Sequence, residues 1–236
     1  MKCLDLFSGT HSVADVLRNE GHEVITLDMD GNSDITINIL DWDYTIFPVG
    51  YFDYIHASPE CTLFSVCSNA NLGRRLKRLN MQPLTREILE KEITTIGLPP
   101  VYKTLEIIDY FKPKYFTIEN PAYSKMKDYI DLSNTIVDYC KYGFPYQKPT
   151  RIWNNFNYVG KRCNKDCDFI VETGNSFLHL QNCGNSKCNA KTKNFHLKGI
   201  GRGTDKGENI KGGGNNKKDR YKIPPELVKE WLKYMD

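Results

Sequence analysis

The hydrophobic positions of this chain change period several times within its first 120 residues. "MKCLDLF" is a short run of strand character, broken by "SGTHS". In "SVADVLRNEG", Val13, Val16 and Leu17 fall on one helical face and Gly21 suits the position just past a helix end. "HEVITLDMD" predicts a second strand ending in acids, and "FDYIHAS" a third. The helix-like "VYKTLEIIDYFKP" comes before another strand, "KYFTIEN". Strands alternating with helices predict an α/β fold, a largely parallel sheet covered by helices on both faces. In such sheets ligands bind beyond the carboxyl ends of the strands, so "FSGT", "LDMD" and "ASPEC" are expected to share one crevice. "YKIPPELVKEWLKYM" closes the chain as an amphipathic helix, with Pro-Pro as its start signal.

Composition narrows the class. The 236 residues are 40% hydrophobic, and the mean hydropathy is -0.52. No stretch approaches the roughly 18 apolar residues of a membrane span. The N-terminal "MKCLDLFSGT" lacks the apolar run of a signal peptide, so an intracellular, reducing location is expected. There the eight cysteines are read as thiols or metal ligands rather than disulfides.

The net charge of +3 is unevenly spread. Residues 161–222 hold 14 Lys/Arg against 6 Asp/Glu, a local +8, and leave −5 on the rest. Such a segment is either a surface for a polyanion or a solvated tail. From about residue 155 apolar residues thin out, and seven glycines fall between 199 and 214. Residues 1–154 with 220–236 are therefore expected to form the main domain, and 155–219 a small, loop-rich basic one. Within the latter, Cys163 and Cys167, then Cys183 and Cys188, make two close pairs, with His179 and His196 nearby. Four such thiolates suit a structural zinc ion, and unlinked thiols in a loop-rich insert are the alternative.

Two features carry chemistry. Gly9 stands in a strand-to-helix turn and Asp28 follows 19 residues later, at the end of the next strand. An acid at that distance suits ribose hydroxyls, although an ordinary turn has the same pattern and the G-x-G-x-x-G glycines are absent. Cys61, in "HASPECTLFS", follows a buried-looking strand where a loop begins. It is either a space-filling core thiol or a nucleophile at the mouth of a cofactor site.

In order, "DLFSGT", "SPECTLFS", "IENP" and "GFPYQKPTRIW" resemble the cytosine-C5 DNA methyltransferase family, its small phage- and giant-virus-type members above all. The resemblance covers about residues 1–154 and the final helix. It implies a Rossmann-like sheet, S-adenosylmethionine as cofactor, and double-stranded DNA as partner with the target cytosine flipped out, for a monomeric enzyme in a prokaryotic or virus-infected cell. By the same resemblance Cys61 is the nucleophile that adds to C6, and Glu119 the acid on ring N3 and the exocyclic amine. Asn120 orients the loop, and Arg151 holds the base carbonyl or a phosphate. Asp5, Phe7, Ser8, Gly9, Thr10, Asp28, Met29, Asn38, Ile39, Ser58 and Pro59 fall at cofactor positions. The chemistry needs the thiolate because C5 alone is too weak a nucleophile; addition at C6 makes it enamine-like.

Three positions depart from the family pattern. His11 replaces a glycine, Glu60 a proline beside the thiol, and Pro149 the first arginine of Q-x-R-x-R. They leave open a catalytically degenerate DNA-binding homologue. "SPEC" also resembles the S-P-P-Y loop of enzymes that methylate cytosine N4 or adenine N6, which would leave Cys61 idle. The segment "GRRLKR" at 73–78 is read either as a cover over the flipped base or as a solvated helix face.

Overall fold

The computed structural model describes residues 1–173, 176–179 and 221–235. Among them a seven-stranded sheet runs in the order β3-β2-β1-β4-β7-β9-β8. Its strands are β1 (Lys2–Leu6), β2 (Glu23–Asp28), β3 (Ile35–Thr36), β4 (Tyr54–Ala57), β7 (Tyr115–Pro121), β8 (Asn134–Asp138) and β9 (Pro149–Asn154). The first five named pair in parallel, and β9 runs antiparallel to both neighbours. Two small hairpins stand apart: β5 (Arg75–Leu76) with β6 (Gln82–Pro83), and β10 (Ile170–Thr173) with β11 (Ser176–His179).

Both sheet faces are buried, which explains why β1 and β4 read as continuous apolar runs with few polar interruptions. On one face Cys3 and Tyr54 pack beneath α1 (Ser12–Asn19) and α5 (Pro225–Leu232), against Leu17, Leu227 and Trp231. On the other, past the short α2 (Val66–Asn69), Leu4, Leu6 and Ile55 pack beneath α3 (Arg86–Glu92) and α4 (Leu98–Phe111), against Leu89, Val101 and Ile107. Within β1 the residues alternate between these two cores, as the pleat requires. The C-terminal helix is thus part of the main core, tied further by the Ile223 amide donating to Ser12 Oγ at 3.0 Å.

The strands and helices predicted from periodicity through residue 121 are present. Several elements are not visible in the pattern, and for three of them the local reason is plain. β3 has two residues, too few for any period. In β8 only Val137 and Asp138 are buried, so alternation is lost. The third is a helical stretch before α4, where Ile93–Gly97 form a π-helical turn. Pro99 and Pro100 lack amide hydrogens, and the widened turn accommodates the missing donors. "GRRLKR" is not a helix: it enters β5 and the 3₁₀ turn Lys77–Leu79.

Candidate active site

The sheet reverses direction of winding between β1 and β4, where loops leaving neighbouring strands diverge and open a crevice. After β1 the chain turns sharply: Phe7, Gly9 and His11 all have positive φ, at 59°, 42° and 57°. For a residue as bulky as Phe7 this is unusual and costs strain, and it holds the residue at the crevice wall. Ser8 is buried and its Oγ meets Ser33 Oγ at 2.8 Å. Thr10 completes the turn.

Asp28 ends β2 and accepts from the Gly9 amide at 3.0 Å and the Asp30 amide at 3.0 Å. Each carboxylate oxygen keeps a lone pair for a further donor. A Cβ at Gly9 would stand 3.9 Å from Asp28 Oδ2, taking space in front of the carboxylate. Met29, 71% exposed, and the buried Ile39 line the same cleft, with Phe7, Asn38, Leu63 and Gly97. The π-helical turn is what brings Ile96 and Gly97 to this wall. An acidic mouth and apolar walls fit a nucleoside with a thioether-like tail. His11 does not line this cleft. Asp5 lies beneath the turn rather than in it. It is buried, accepts from the Ala14 amide at 3.2 Å, and desolvation lifts its carboxyl to about 7.

The loop after β4 carries Ser58, Pro59, Glu60 and Cys61. Below it runs a buried relay: Tyr54 Oη to Thr117 Oγ1 (2.6 Å), Thr117 Oγ1 to His56 Nδ1 (2.8 Å), His56 Nε2 to Ser58 Oγ (2.9 Å). His56 also stacks on Trp231 of α5, and burial lowers it to about 3, so the ring is neutral. Asn120, at the end of β7, donates to the Pro59 carbonyl at 3.0 Å. Phe64 anchors the loop's far side in the core, and its carbonyl accepts from the Lys125 amide at 2.9 Å.

Cys61 is partly exposed at the head of this loop. Burial, then the charge of Glu119, push its thiol up to about 11; Lys148 opposes them. Glu119 is buried on β7 and accepts from Tyr139 Oη at 3.1 Å, with Lys148 Nζ at 3.6 Å. Glu60 lines the same cleft as Phe7 and Asp28 and accepts from Thr62 Oγ1 at 2.7 Å, and it is the weakest of the named charges acting on the thiol.

Arg151 is placed differently from Lys148. It pairs in register with Asn120, and its guanidinium engages Asn134 Oδ1 and the Ala122 carbonyl. On β9 side chains alternate in direction, so Pro149 and Arg151 share one face and Lys148, just ahead of the strand, reaches the other. Sequence reading singled out neither Lys148 nor Tyr139. The only signal was the lysine in "QKPTR", one step from where an arginine was sought.

Cys163 and Cys167 come together with Cys140 and His179, whose ligand atoms all lie within 4.8 Å of one another. Cys183, Cys188 and His196 lie outside the described residues.

A sheet of order β3-β2-β1-β4 with one reversed strand, a cleft at its strand ends and a thiol on the loop after β4 define the class as Rossmann-like α/β proteins. The chain is 34% identical over 238 aligned residues, 98% of its length and 99% of the relative's, to a probable DNA (cytosine-5)-methyltransferase of Frog virus 3 (isolate Goorha). It therefore belongs to the DNA cytosine-5-methyltransferase family. No family model matches it. Among solved structures it is similar to the Entamoeba histolytica methyltransferase EhMeth, at 12% identity and TM-score 0.44, covering 73% of this chain and 63% of that one. It is likewise similar to the S. pombe Dnmt2 methyltransferase, at 16% identity and TM-score 0.42, covering 74% and 57%. Among the described residues no helix is long and apolar enough to cross a membrane.

Proposed function

We propose that this protein methylates cytosine at C5 in double-stranded DNA, with Cys61 as the attacking thiol and S-adenosylmethionine as donor. The observation that carries the reading is Cys61 on its loop, with the charges of Glu119 and Lys148 acting on it, next to a cleft of the right chemistry. The target carbon is shielded in a stacked duplex, so the nucleotide must leave the helix to reach this loop.

Phe7, Asp28, Met29, Asn38 and Ile39 would hold the cofactor, with Asp28 as the acceptor for its ribose hydroxyls. When bound, S-adenosylmethionine supplies an electrophilic methyl group for C5. The chain's own residues make C5 reactive. The Cys61 proton passes to the Glu119 carboxylate, and the sulfur adds to C6. Glu119 then gives that proton to N3, so no net charge accumulates on the ring. Moving the proton also removes the like charge that held the thiol neutral. After methylation the C5 proton leaves to water, the C6–S bond breaks, and N3 returns its proton to Glu119. Lys148 steadies the carboxylate and lowers the thiol, supplying the cation absent at Pro149. Asn120 fixes the loop through Pro59, and Arg151 braces the turn after it through Ala122.

The exposed Arg74, Arg75, Lys77 and Arg78 around the β5–β6 hairpin follow the Cys61 loop and meet backbone phosphates. Residues 1–154 with 220–236 form the catalytic unit, and the basic 155–219 segment chooses the target.

The test is Cys61→Ser, assayed for methyl transfer and for a covalent adduct on DNA containing 5-fluorocytosine. Loss of both, with S-adenosylmethionine still bound, supports attack at C5. Retained transfer in the variant points to amine methylation, and a wild-type chain that binds DNA without methylating it is a degenerate homologue.

A further inference from the structure

We infer that Cys140, Cys163, Cys167 and His179 form a structural zinc site that clips the β10–β11 hairpin to the back of the Glu119 pocket. Their four ligand atoms lie within 4.8 Å of one another, and Cys163 Sγ is 3.5 Å from His179 Nε2. A tetrahedral zinc with Zn–S near 2.3 Å and Zn–N near 2.05 Å spaces its sulfurs about 3.8 Å apart and sulfur from nitrogen about 3.6 Å. The geometry therefore needs little adjustment on metal binding, which would release the three thiol protons to solvent.

The surroundings are those of a ligand set. Cys163-Asn164-Lys165-Asp166-Cys167 forms a turn with Lys165 at φ 64°. Asp138, fully buried, accepts from the Cys163 amide at 2.8 Å and from Arg162 Nε at 2.7 Å through one oxygen. Its other oxygen is buried with no hydrogen-bond partner among the described residues. A carboxylate that holds the backbone of a ligating cysteine is an outer-shell support of the kind metal sites carry. Three thiolates with one Zn²⁺ leave a single negative charge, and Lys141, ion-paired to Asp166 at 2.9 Å, stands beside it.

The site has a structural use. The β10–β11 hairpin forms a sheet of its own, and an isolated hairpin is marginally stable. Cys140 adjoins Tyr139, which bonds Glu119. A metal here would fasten the start of the basic segment to the element that holds the proposed catalytic acid. The ligand set differs from four cysteines read off spacing: Cys140 is 23 residues upstream of Cys163.

The experiment is zinc quantification by mass spectrometry on the purified full chain and on Cys140→Ser, His179→Ala and the double variant Cys183→Ser/Cys188→Ser. Expected is about one zinc per wild-type chain, a fall of about tenfold or more in the first two variants, and retention in the double variant. Cobalt(II) loaded into the wild-type chain keeps the test independent of variant folding: thiolate charge-transfer bands with a tetrahedral visible spectrum are expected. Absence of zinc and of those bands, a Cys140–Cys163 disulfide in protein kept under reductant, or zinc lost only with Cys183 and Cys188 would each overturn the inference. Because the readout is metal content, it stands or falls separately from the methylation assay.

Discussion

Lys148 Nζ stands 3.6 Å from Glu119 Oε1, the same oxygen that accepts from Tyr139 Oη at 3.1 Å, and the ammonium lies over the Tyr139 ring at 4.7 Å. A cation, a carboxylate and a phenol thus share one corner beside the Cys61 loop. Lys148 pulls the thiol pKa down against burial and Glu119, which together hold it near 11. Lys148→Met is expected to raise it further. Alkylation of Cys61 by iodoacetamide at pH 8 then slows about three- to tenfold, while Lys148→Arg stays nearer wild type. In the wild-type chain the alkylation rate climbs about tenfold per pH unit from 7 towards 10, as the thiolate fraction grows. A variant that alkylates at the wild-type rate removes Lys148 from this role.

Asp28→Asn keeps an acceptor for the Gly9 amide but loses the charge that ribose hydroxyls would meet. S-adenosylmethionine affinity is expected to fall about ten- to hundredfold by titration calorimetry, with thermal stability little changed. Unaltered affinity would place the cofactor elsewhere.

Gly97→Ala tests the wall between cleft and loop. A Cβ there would stand 3.0 Å from Phe64 Cζ and 3.1 Å from Phe64 Cε2, and Phe64 is held in the core. The ring must move by a few tenths of an ångström, carrying the Cys61 loop with it. A stability loss of about 1–2 kcal/mol in urea is expected, with a larger proportional loss of methyl transfer. Equal or greater activity in the variant would show that the loop absorbs the shift without consequence.

Asp5 and His56 face each other in register across β1 and β4, and their titrations oppose. His56 falls from 6.5 to about 3 on folding, so the unfolded chain binds the extra proton between those values and stability drops as pH is lowered from 6.5. Asp5 rises from 3.8 to about 7, so the folded chain binds the extra proton and stability grows as pH is lowered through that window. Between pH 4 and 6.5 the two slopes, each about 1.4 kcal/mol per unit at most, cancel. Urea unfolding at pH 5 and 7 should show Asp5→Asn losing stability at the lower pH relative to wild type. His56→Asn, which can still bond Ser58 and Thr117, should gain it. Parallel pH profiles in all three proteins would refute the opposition.

The chain's periodicities determined the α/β alternation, the strands through Tyr115–Pro121 and the strand-end loops, because both faces of the parallel core demand apolar runs whatever lies around them. They also placed Gly9, Asp28, Cys61 and Glu119 at strand ends, where a sheet of this winding gathers its loops. Folding alone decided which cation stands at Glu119, since the alternation along β9 sends Arg151 to Asn134 and leaves Lys148, just ahead of the strand, for the pocket. It likewise drew Cys140 and His179 to Cys163 and Cys167, and Trp231 onto His56, from distant parts of the chain. A linear pattern records which way a side chain faces within its own element; which partner it meets depends on how separate elements are stacked, and that is fixed only when the whole core closes.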